Sequence, residues 1–321
     1  MSDVSHRTVA ANGINIHIAE QGSGPLVLLL HGFPELWYSW RHQLPALAEA
    51  GFHAVAPDLR GYGQTDAPQP VESYSMRNMT ADAAGILDAL GVEQAVVAGH
   101  DWGAPIAWHC ALMYPERFSA VVALSVPYTP RGGSPPLQAL KRIFADRFFY
   151  ILYFQEPGRA EAELEADVRR SMLATLYGWS GDAPAGAAVA PKPKESRLLD
   201  DVREPQSLPP WLSEADLDYY VAEFERTGFR GGLNRYRNMD RDWTELAHLQ
   251  GAKVEQPALF IAGENDPVLR FTRVDPMTAH VPDLRKTVLL PGCGHWTQQE
   301  RPAKVNHELI EFLRSLPFST S

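Results

Sequence analysis

Asp101 lies in the segment Gly99-His100-Asp101-Trp102-Gly103-Ala104, between the apolar run Ala95-Val96-Val97-Ala98 and the helix-like Ala104-Pro105-Ile106-Ala107-Trp108. A strand, a sharp turn and a helix, with small residues on both sides of the turn, push one side chain above the end of a sheet in a strained conformation. A side chain so placed can act as a nucleophile. A serine there would form an acyl ester with a carbonyl substrate. A carboxylate attacks an sp³ carbon instead and forms an alkyl ester. That chemistry points to epoxides or alkyl halides. On the motif alone the competing reading is an aspartate that only caps the following helix.

Two further segments supply partners for Asp101. Gly292-Cys293-Gly294-His295-Trp296 follows the last apolar run and places His295 in a glycine-bounded loop. Gly263-Glu264-Asn265-Asp266-Pro267-Val268 follows the preceding apolar run. Asp266 is the choice for the acid, Glu264 is its rival, and a turn aspartate before proline is the plainer reading. The chain order nucleophile, acid, histidine is kept. In this assignment Asp101 attacks carbon, His295 deprotonates a water that attacks the ester, and Asp266 orients the imidazole and stabilises its cation. The tetrahedral intermediate needs donors for its oxyanion. The backbone N–H groups of Trp102 and of Phe33, in the loop His31-Gly32-Phe33-Pro34, are expected to provide them. His31 and His100 flank tight turns and are expected to hold loops. No carboxylate follows the run Phe118 to Ser125.

An epoxide opens to an alkoxide, which needs a proton or strong donors. Tyrosine suits this task because its hydroxyl stays protonated at neutral pH. Tyr150, Tyr153, Tyr177, Tyr219, Tyr220 and Tyr236 are all candidates, and periodicity does not choose among them. Taken by itself, Phe148 to Phe154 reads as an aromatic core helix rather than as a catalytic segment.

The elements that must carry these residues alternate between strand-like and helical patterns. Ile14 to Ile18, Pro25 to Leu30, His53 to Pro57, Ala95 to Ala98, Phe118 to Ser125, Ala258 to Gly263 and Thr287 to Leu290 read as strands. Trp40 to Ala50, Thr80 to Leu90 and Arg301 to Leu316 read as helices, the first two stopped by Gly51 and Gly91. Such alternation predicts an α/β fold with a mostly parallel sheet covered on both faces. Residues 131–244 break the rhythm. Ala139 to Phe154, Ala160 to Leu176 and Glu214 to Thr227 have helical spacing there, and Gly181 to Pro193 reads as loop. The expected division is therefore a core of residues 1–130 and 245–321 and an inserted helical cap of residues 131–244. A cap at that point would lie over the strand C-termini, where ligands of open α/β sheets bind.

Bulk properties narrow the class. The 321 residues are 45% hydrophobic and carry a net charge of −10 with acids and bases intermixed. No basic stripe suggests nucleic acid or an anionic membrane as partner. Cys110 and Cys293 stand far apart, which argues against a disulfide framework or structural zinc. No metal and no cofactor is expected. The N-terminal residues lack the apolar core of a signal peptide, and no run is long enough to span a membrane. The expectation is a soluble cytoplasmic enzyme acting on a small molecule and water, with a homodimer left open.

The chain resembles the α/β-hydrolase-fold epoxide hydrolases over nearly its whole length. The similarity rests on His31-Gly32-Phe33-Pro34, Trp40-Arg41-His42-Gln43, Asp58-Leu59-Arg60-Gly61-Tyr62-Gly63 and the Asp101 turn. It continues through Tyr153-Phe154-Gln155-Glu156-Pro157-Gly158, Gly228-Phe229-Arg230-Gly231-Gly232-Leu233-Asn234, Tyr236-Arg237-Asn238 and Gly294-His295-Trp296. It extends to actinobacterial members and to the hydrolase domain of the soluble vertebrate enzyme. The resemblance implies hydrolysis of epoxides to vicinal diols. It implies that Tyr150 and Tyr236 activate the epoxide oxygen, and that Phe33, Trp102, Tyr150, Tyr236 and Trp296 line the substrate pocket. Position 235 is arginine where tryptophan is expected in relatives.

The nearest rival is a haloalkane dehalogenase, which shares an aspartate followed by tryptophan. It needs halide donors, often an asparagine where this chain has Phe33, and has no use for a tyrosine pair. A fluoroacetate-type dehalogenase would want a cation after the nucleophile, where Trp102 is neutral. A catalytically silent binding module would not need Asp101, Asp266 and His295 together.

Overall fold

The computed structural model describes residues 3–184, 186–200, 202 and 204–318. Eight strands form one sheet: β1 (Ser5–Ala11), β2 (Ile14–Gln21), β3 (Leu26–Leu30), β4 (His53–Pro57), β5 (Ala95–His100), β6 (Phe118–Leu124), β7 (Ala258–Gly263) and β8 (Leu284–Leu290). Their order is β1-β2-β4-β3-β5-β6-β7-β8. β1 and β2 pair antiparallel around Asn12 and Gly13, whose φ values of 46° and 77° make the tight hairpin that Asn-Gly favours. β2 also meets β4 antiparallel, and every later pairing is parallel. The sequence pattern offered no strand before Ile14. β1 is an edge strand with polar residues on its exposed positions, so its apolar signal is weak.

Successive residues of the central strands point to opposite faces. Val27, Leu29, Val96, Ala98 and Val122 pack on one face with Leu44 and Leu47 of α1 (Gln43–Glu49). Leu28, Leu30, Val97 and Val121 pack on the other with Met79, Ala83 and Leu87 of α2 (Met76–Leu90) and Ile106 and Trp108 of α3 (Gly103–Met113). Burial of each large apolar side chain stabilises by roughly 1.5–3 kcal/mol. Both faces are thus covered, as a parallel sheet requires.

Between β6 and β7 the chain forms α4 (Pro136–Ile143), α5 (Tyr150–Tyr153), α6 (Arg159–Leu164), α7 (Val168–Gly178), α8 (Glu214–Thr227), α9 (Arg230–Arg237) and α10 (Met239–Glu245). Among the described residues of this stretch none joins the sheet, and an isolated bridge links Arg147 to Pro193. Two helices expected as continuous are split. The Phe148 N–H donates to the Lys192 carbonyl at 3.0 Å, which pulls the chain straight between α4 and α5. Asp167 is extended, and its carboxylate accepts the Arg170 N–H at 2.9 Å, which starts α7 afresh after α6. α9 escaped the sequence reading because Gly231 and Gly232 are poor helix formers. A Cβ on Gly231 would lie 2.2 Å from the Gly61 carbonyl, so glycine there lets α9 touch the loop after β4. After β8 the chain ends in α11 (Thr297–Glu300) and α12 (Pro302–Arg314), whose Val305 and Leu309 join α1 on its face of the sheet.

Buried polar contacts tie these helices to the sheet. Trp37 Nε1 donates to Tyr219 Oη at 2.8 Å, and Ser39 Oγ and Tyr220 Oη are 2.7 Å apart. Arg235, the residue that stands where tryptophan was expected, is buried at 3% side-chain exposure. Its guanidinium donates to the Tyr74 carbonyl and to Asp242, and lies 4.8 Å over the Trp102 ring. Burial pulls its pKa down to about 9. Asp242 also accepts the Met76 N–H at 2.7 Å, so one carboxylate links α9, α10 and the start of α2. Asp242→Asn leaves a buried guanidinium without its counter-charge. Urea unfolding should show a loss of about 3 kcal/mol or more. Arg241→Ala, at the exposed pair with Glu245, should stay within about 0.5 kcal/mol.

Candidate active site

The C-terminal ends of the parallel strands carry the chemistry-bearing residues. Asp101 follows β5 directly and has a φ of 48°, a left-handed conformation that an aspartate tolerates at a cost on the order of 1 kcal/mol. Its carbonyl accepts the Ala104 N–H at 3.1 Å, so the turn runs straight into α3. The loop after β3 closes on it from one side. The Phe33 N–H donates to Asp101 Oδ1 at 2.8 Å. Gly32 makes this approach feasible, since a Cβ there would lie 2.3 Å from the Asp101 Cβ.

His295 closes from the other side. Its Nε2 is 3.4 Å from Asp101 Oδ2, and its Nδ1 is 3.1 and 3.2 Å from the Asp266 oxygens. Asp266 is buried and accepts the Val268 N–H at 2.9 Å, while the rival Glu264 is exposed. Burial alone would lower the His295 pKa. The Asp266 charge and the hydrogen bonds to Asp101 and Asp266 reverse this and push it up to about 10. Burial alone would raise Asp266, but the His295 charge, with hydrogen bonds from His295, Ser125 and Val268, holds it below the usual carboxylate value. In the resting state His295 is therefore a cation between two carboxylates.

The two expected tyrosines meet above this group. The Tyr150 and Tyr236 rings are 6.1 Å apart, and Tyr236 is 5.6 Å from Phe33 and 5.1 Å from Trp102. Burial, then the Asp101 charge, raises both phenols well above their ordinary value, so both remain protonated. The other candidates use their hydroxyls elsewhere. Tyr153 donates to Glu163 at 2.5 Å, Tyr177 to the Asp182 carbonyl at 3.4 Å, Tyr219 accepts from Trp37, and Tyr220 reaches Ser39 and Gln299. Trp102 begins α3 with its ring under Tyr236. Trp296 is buried, 4.7 Å from the His295 ring, and its indole N–H donates to the Leu176 carbonyl at 2.7 Å. It packs behind the histidine and ties it to α7.

Three contributors carried no functional signal in the sequence. Trp179, just after α7, accepts the His295 N–H on its carbonyl at 2.9 Å and lays its ring 5.5 Å from Tyr150. Glu35 is fully buried and accepts the Gly32 N–H at 2.8 Å and a bond from His100 Nδ1 at 2.6 Å. Burial works against its charge, but His100, His31 and the Gly32 N–H bring its pKa down to about 2. His100 Nε2 also donates to the His295 carbonyl at 2.7 Å. This network joins the loops after β3, β5 and β8. Ser125 lies beside both Asp266 and His295 Nδ1. His31 bonds the Gly32 carbonyl and the Leu59 N–H, both at 2.9 Å, and so holds its loop as expected.

A separate cavity of about 950 Å³ opens between α6, α8 and α9, lined in part by Glu165, Phe224 and Arg230. It contains none of the predicted site residues. Among the described residues no cluster of three or more His, Cys, Asp or Glu could hold a metal ion, and no helix is long and apolar enough to cross a membrane.

Residues 25–302 match the family described as alpha/beta hydrolase fold. The chain is 49% identical to epoxide hydrolase A of Mycobacterium tuberculosis over 321 residues, covering 98% of this chain and 99% of that protein. It is 41% identical to bifunctional epoxide hydrolase 2 of Mus musculus, covering 98% of this chain and 56% of the longer mouse protein. The crystal structure of epoxide hydrolase A from Mycobacterium thermoresistibile superposes with a TM-score of 0.95 at 50% identity, covering 99% of this chain and 100% of that one. The chain belongs to the α/β-hydrolase-fold epoxide hydrolases. The enzyme hydrolyses epoxides, and the alternative of a haloalkane dehalogenase finds no support among these relatives.

The paired carboxylates make a pH-dependent prediction. The raised His295 pKa contributes stability that is full below the unfolded value of about 6.5 and is lost as pH rises toward about 10. The thermal midpoint of the epoxide hydrolase should fall across that window, and fall less in His295→Gln. In Asp101→Asn one of the two carboxylates is gone. NMR titration should find the His295 imidazole losing its proton at a clearly lower pH than in the parent.

Proposed function

We propose that the epoxide hydrolase works through a covalent ester on Asp101 that water, activated by His295, then hydrolyses. The observation that carries this reading is the Asp101 carboxylate itself. It is held between the Phe33 N–H at 2.8 Å and His295 Nε2 at 3.4 Å, with the Tyr150 and Tyr236 rings nearby. Residues 131–244 act in this reading as a cap that brings the tyrosines over the strand ends. Phe33, Trp102, Tyr150 and Tyr236 form the surroundings of the substrate, and Trp296, whose indole N–H is bonded to the Leu176 carbonyl, backs His295 instead.

In the first step an Asp101 oxygen forms a bond to an epoxide carbon. The ring C–O bond breaks and its electron pair goes to the epoxide oxygen, which takes a proton from the tyrosine pair. The negative charge thus moves from Asp101 toward the phenols. As Asp101 becomes a neutral ester, the charge that kept the phenols weakly acidic disappears, so proton release becomes easier as it is needed. The histidinium proton makes up the deficit and leaves His295 neutral. The base therefore becomes available only after the ester has formed.

In the second step neutral His295 takes a proton from water, whose oxygen attacks the Asp101 carboxyl carbon. The oxyanion forms where the Phe33 N–H already points, with the Trp102 N–H as the second donor. The tetrahedral carbon expels the alkoxide, which leaves with the remaining hydroxyl proton as a vicinal diol. Asp101 is again a carboxylate and His295 again a cation. The reactants are an epoxide and water, and a cytoplasmic location belongs to the same proposal.

A single turnover in ¹⁸O-labelled water tests the covalent step. The first diol should be unlabelled and the Asp101 peptide should gain the label; label in the first diol means direct attack by water. His295→Gln should accumulate an alkyl-enzyme visible by intact mass, because alkylation needs no base and hydrolysis does.

The tyrosines act mainly in the transition state of ring opening, so their loss should lower the alkylation rate more than it weakens binding. Tyr150→Phe and Tyr236→Phe should each slow alkylation roughly 10- to 1000-fold, the scale of one lost oxyanion donor. The double variant should be folded and nearly inactive. Tyr153→Phe should be mild, since its hydroxyl is engaged with Glu163.

A further inference from the structure

Ser125 ends the run of β6 and lies one residue beyond the strand itself. It is fully buried, and its φ is 74°. The Val126 N–H donates to the Leu124 carbonyl at 2.9 Å, across Ser125 alone. A three-residue turn with a central φ near +75° is rare and strained. For a residue with a Cβ such a conformation costs on the order of 1–3 kcal/mol and persists only where surrounding contacts enforce it. The Ser125 N–H is fixed by the Ile261 carbonyl of β7 at 2.8 Å. Glycine would take up this turn without the strain, yet the position holds serine.

The strained turn delivers the hydroxyl to one place. Ser125 Oγ donates to Asp266 Oδ2 and lies 2.8 Å from His295 Nδ1, closer than either Asp266 oxygen. A hydroxyl has one proton and two acceptor lone pairs. With its proton on Asp266, it presents a lone pair to the Nδ1–H of His295. The Ser125 hydroxyl thus bridges the acid and the base.

We propose that Ser125 is a positioning residue for the hydrolytic half-reaction, its hydroxyl bridging Asp266 and His295 so that the imidazole keeps its Nδ1 proton and aims Nε2 at the water. This role rests on the mechanism proposed above. It also sets how strongly Asp266 pulls on the histidine. A donated proton disperses the carboxylate charge, and that weakens its hold on the imidazolium. Among the described residues, the other charged or titratable groups found in contact with His295 are Asp101, at 3.4 Å, and the His100 ring, at 4.9 Å. Neither touches Ser125. The bridge acts in the second step, when Asp101 is an ester and Asp266 is the remaining carboxylate partner of His295.

Ser125→Ala removes the hydroxyl and keeps the Cβ. Ser125→Gly removes the hydroxyl and relieves the turn, so it folds even if the alanine variant does not. With styrene oxide as probe, rapid quench and intact mass give the rates of ester formation and ester breakdown. In both variants ester formation should match the parent within about twofold. Breakdown should slow roughly tenfold, the scale of one lost hydrogen bond to a charged group. The acid limb of the breakdown rate should move to higher pH, because Asp266 without its donor holds the imidazolium more tightly. Breakdown at the parental rate with an unmoved acid limb, whatever the change in thermal midpoint, overturns the role of Ser125. Absence of an ester in both the parent and His295→Gln overturns the covalent mechanism and this role with it.

Discussion

A buried imidazolium between two carboxylates organises this molecule. None of the three groups would be stable alone away from water, where an unpaired ion costs several kcal/mol after relaxation. Together Asp101, His295 and Asp266 carry a net charge of minus one, and the histidine is held as a cation by two partners on opposite ring nitrogens. Chemistry that consumes the Asp101 charge releases the histidine from half of that restraint. In the proposed mechanism this arrangement starts as a poor base and a good nucleophile, and it exchanges those properties when Asp101 is esterified.

Holding three charges at these distances demands that five strand ends converge. The loop after β3 brings the Phe33 N–H, β5 brings Asp101, the turn after β6 brings Ser125, the loop after β7 brings Asp266, and the loop after β8 brings His295. Left-handed backbone at Asp101 and Ser125 is part of the means. Each of these residues departs sharply from its strand, and each is fixed by hydrogen bonds that a relaxed turn would break. The Glu35–His100 network lies beneath and keeps the loops in register, linking the Gly32 N–H to the His295 carbonyl through two buried side chains.

The helices between β6 and β7 supply what the sheet cannot. Tyr150 and Tyr236 come from α5 and α9, and the Trp179 carbonyl after α7 holds the His295 N–H. α9 approaches closely enough only because glycine faces the loop after β4. Arg235 then fixes α9 from below, by its ion pair with Asp242 and its place over the Trp102 ring. Where relatives were expected to fill this volume with an indole, this chain buries a charge and gives it a partner. Trp102 still meets Tyr236 edge to face beside it.

The residue order by itself determined the strands from β2 onward, the turn at Asp101 and the neighbourhood of Asp266 and His295. Asp101 and Asp266 follow the fully buried strands β5 and β7, and a buried parallel strand can hardly be read otherwise; His295 follows the short apolar end of the edge strand β8. The sequence also carried Tyr150 and Tyr236, though only through resemblance; six tyrosines in the same stretch share the same local chemistry. Tertiary structure decided which two of the six phenols are buried close enough to feel the Asp101 charge, because burial and partner geometry are properties of elements far apart in the chain. The break between α4 and α5 comes from a hydrogen bond to residue 192, and α9 is stabilised by the loop it touches rather than by helix propensity. Ser125 and Glu35 belong to the same class. A serine after an apolar run and a glutamate after a proline have no distinguishing pattern. Their meaning lies in what stands within about 3 Å of them, and that is set only when β3, β5, β6, β7 and β8 end side by side.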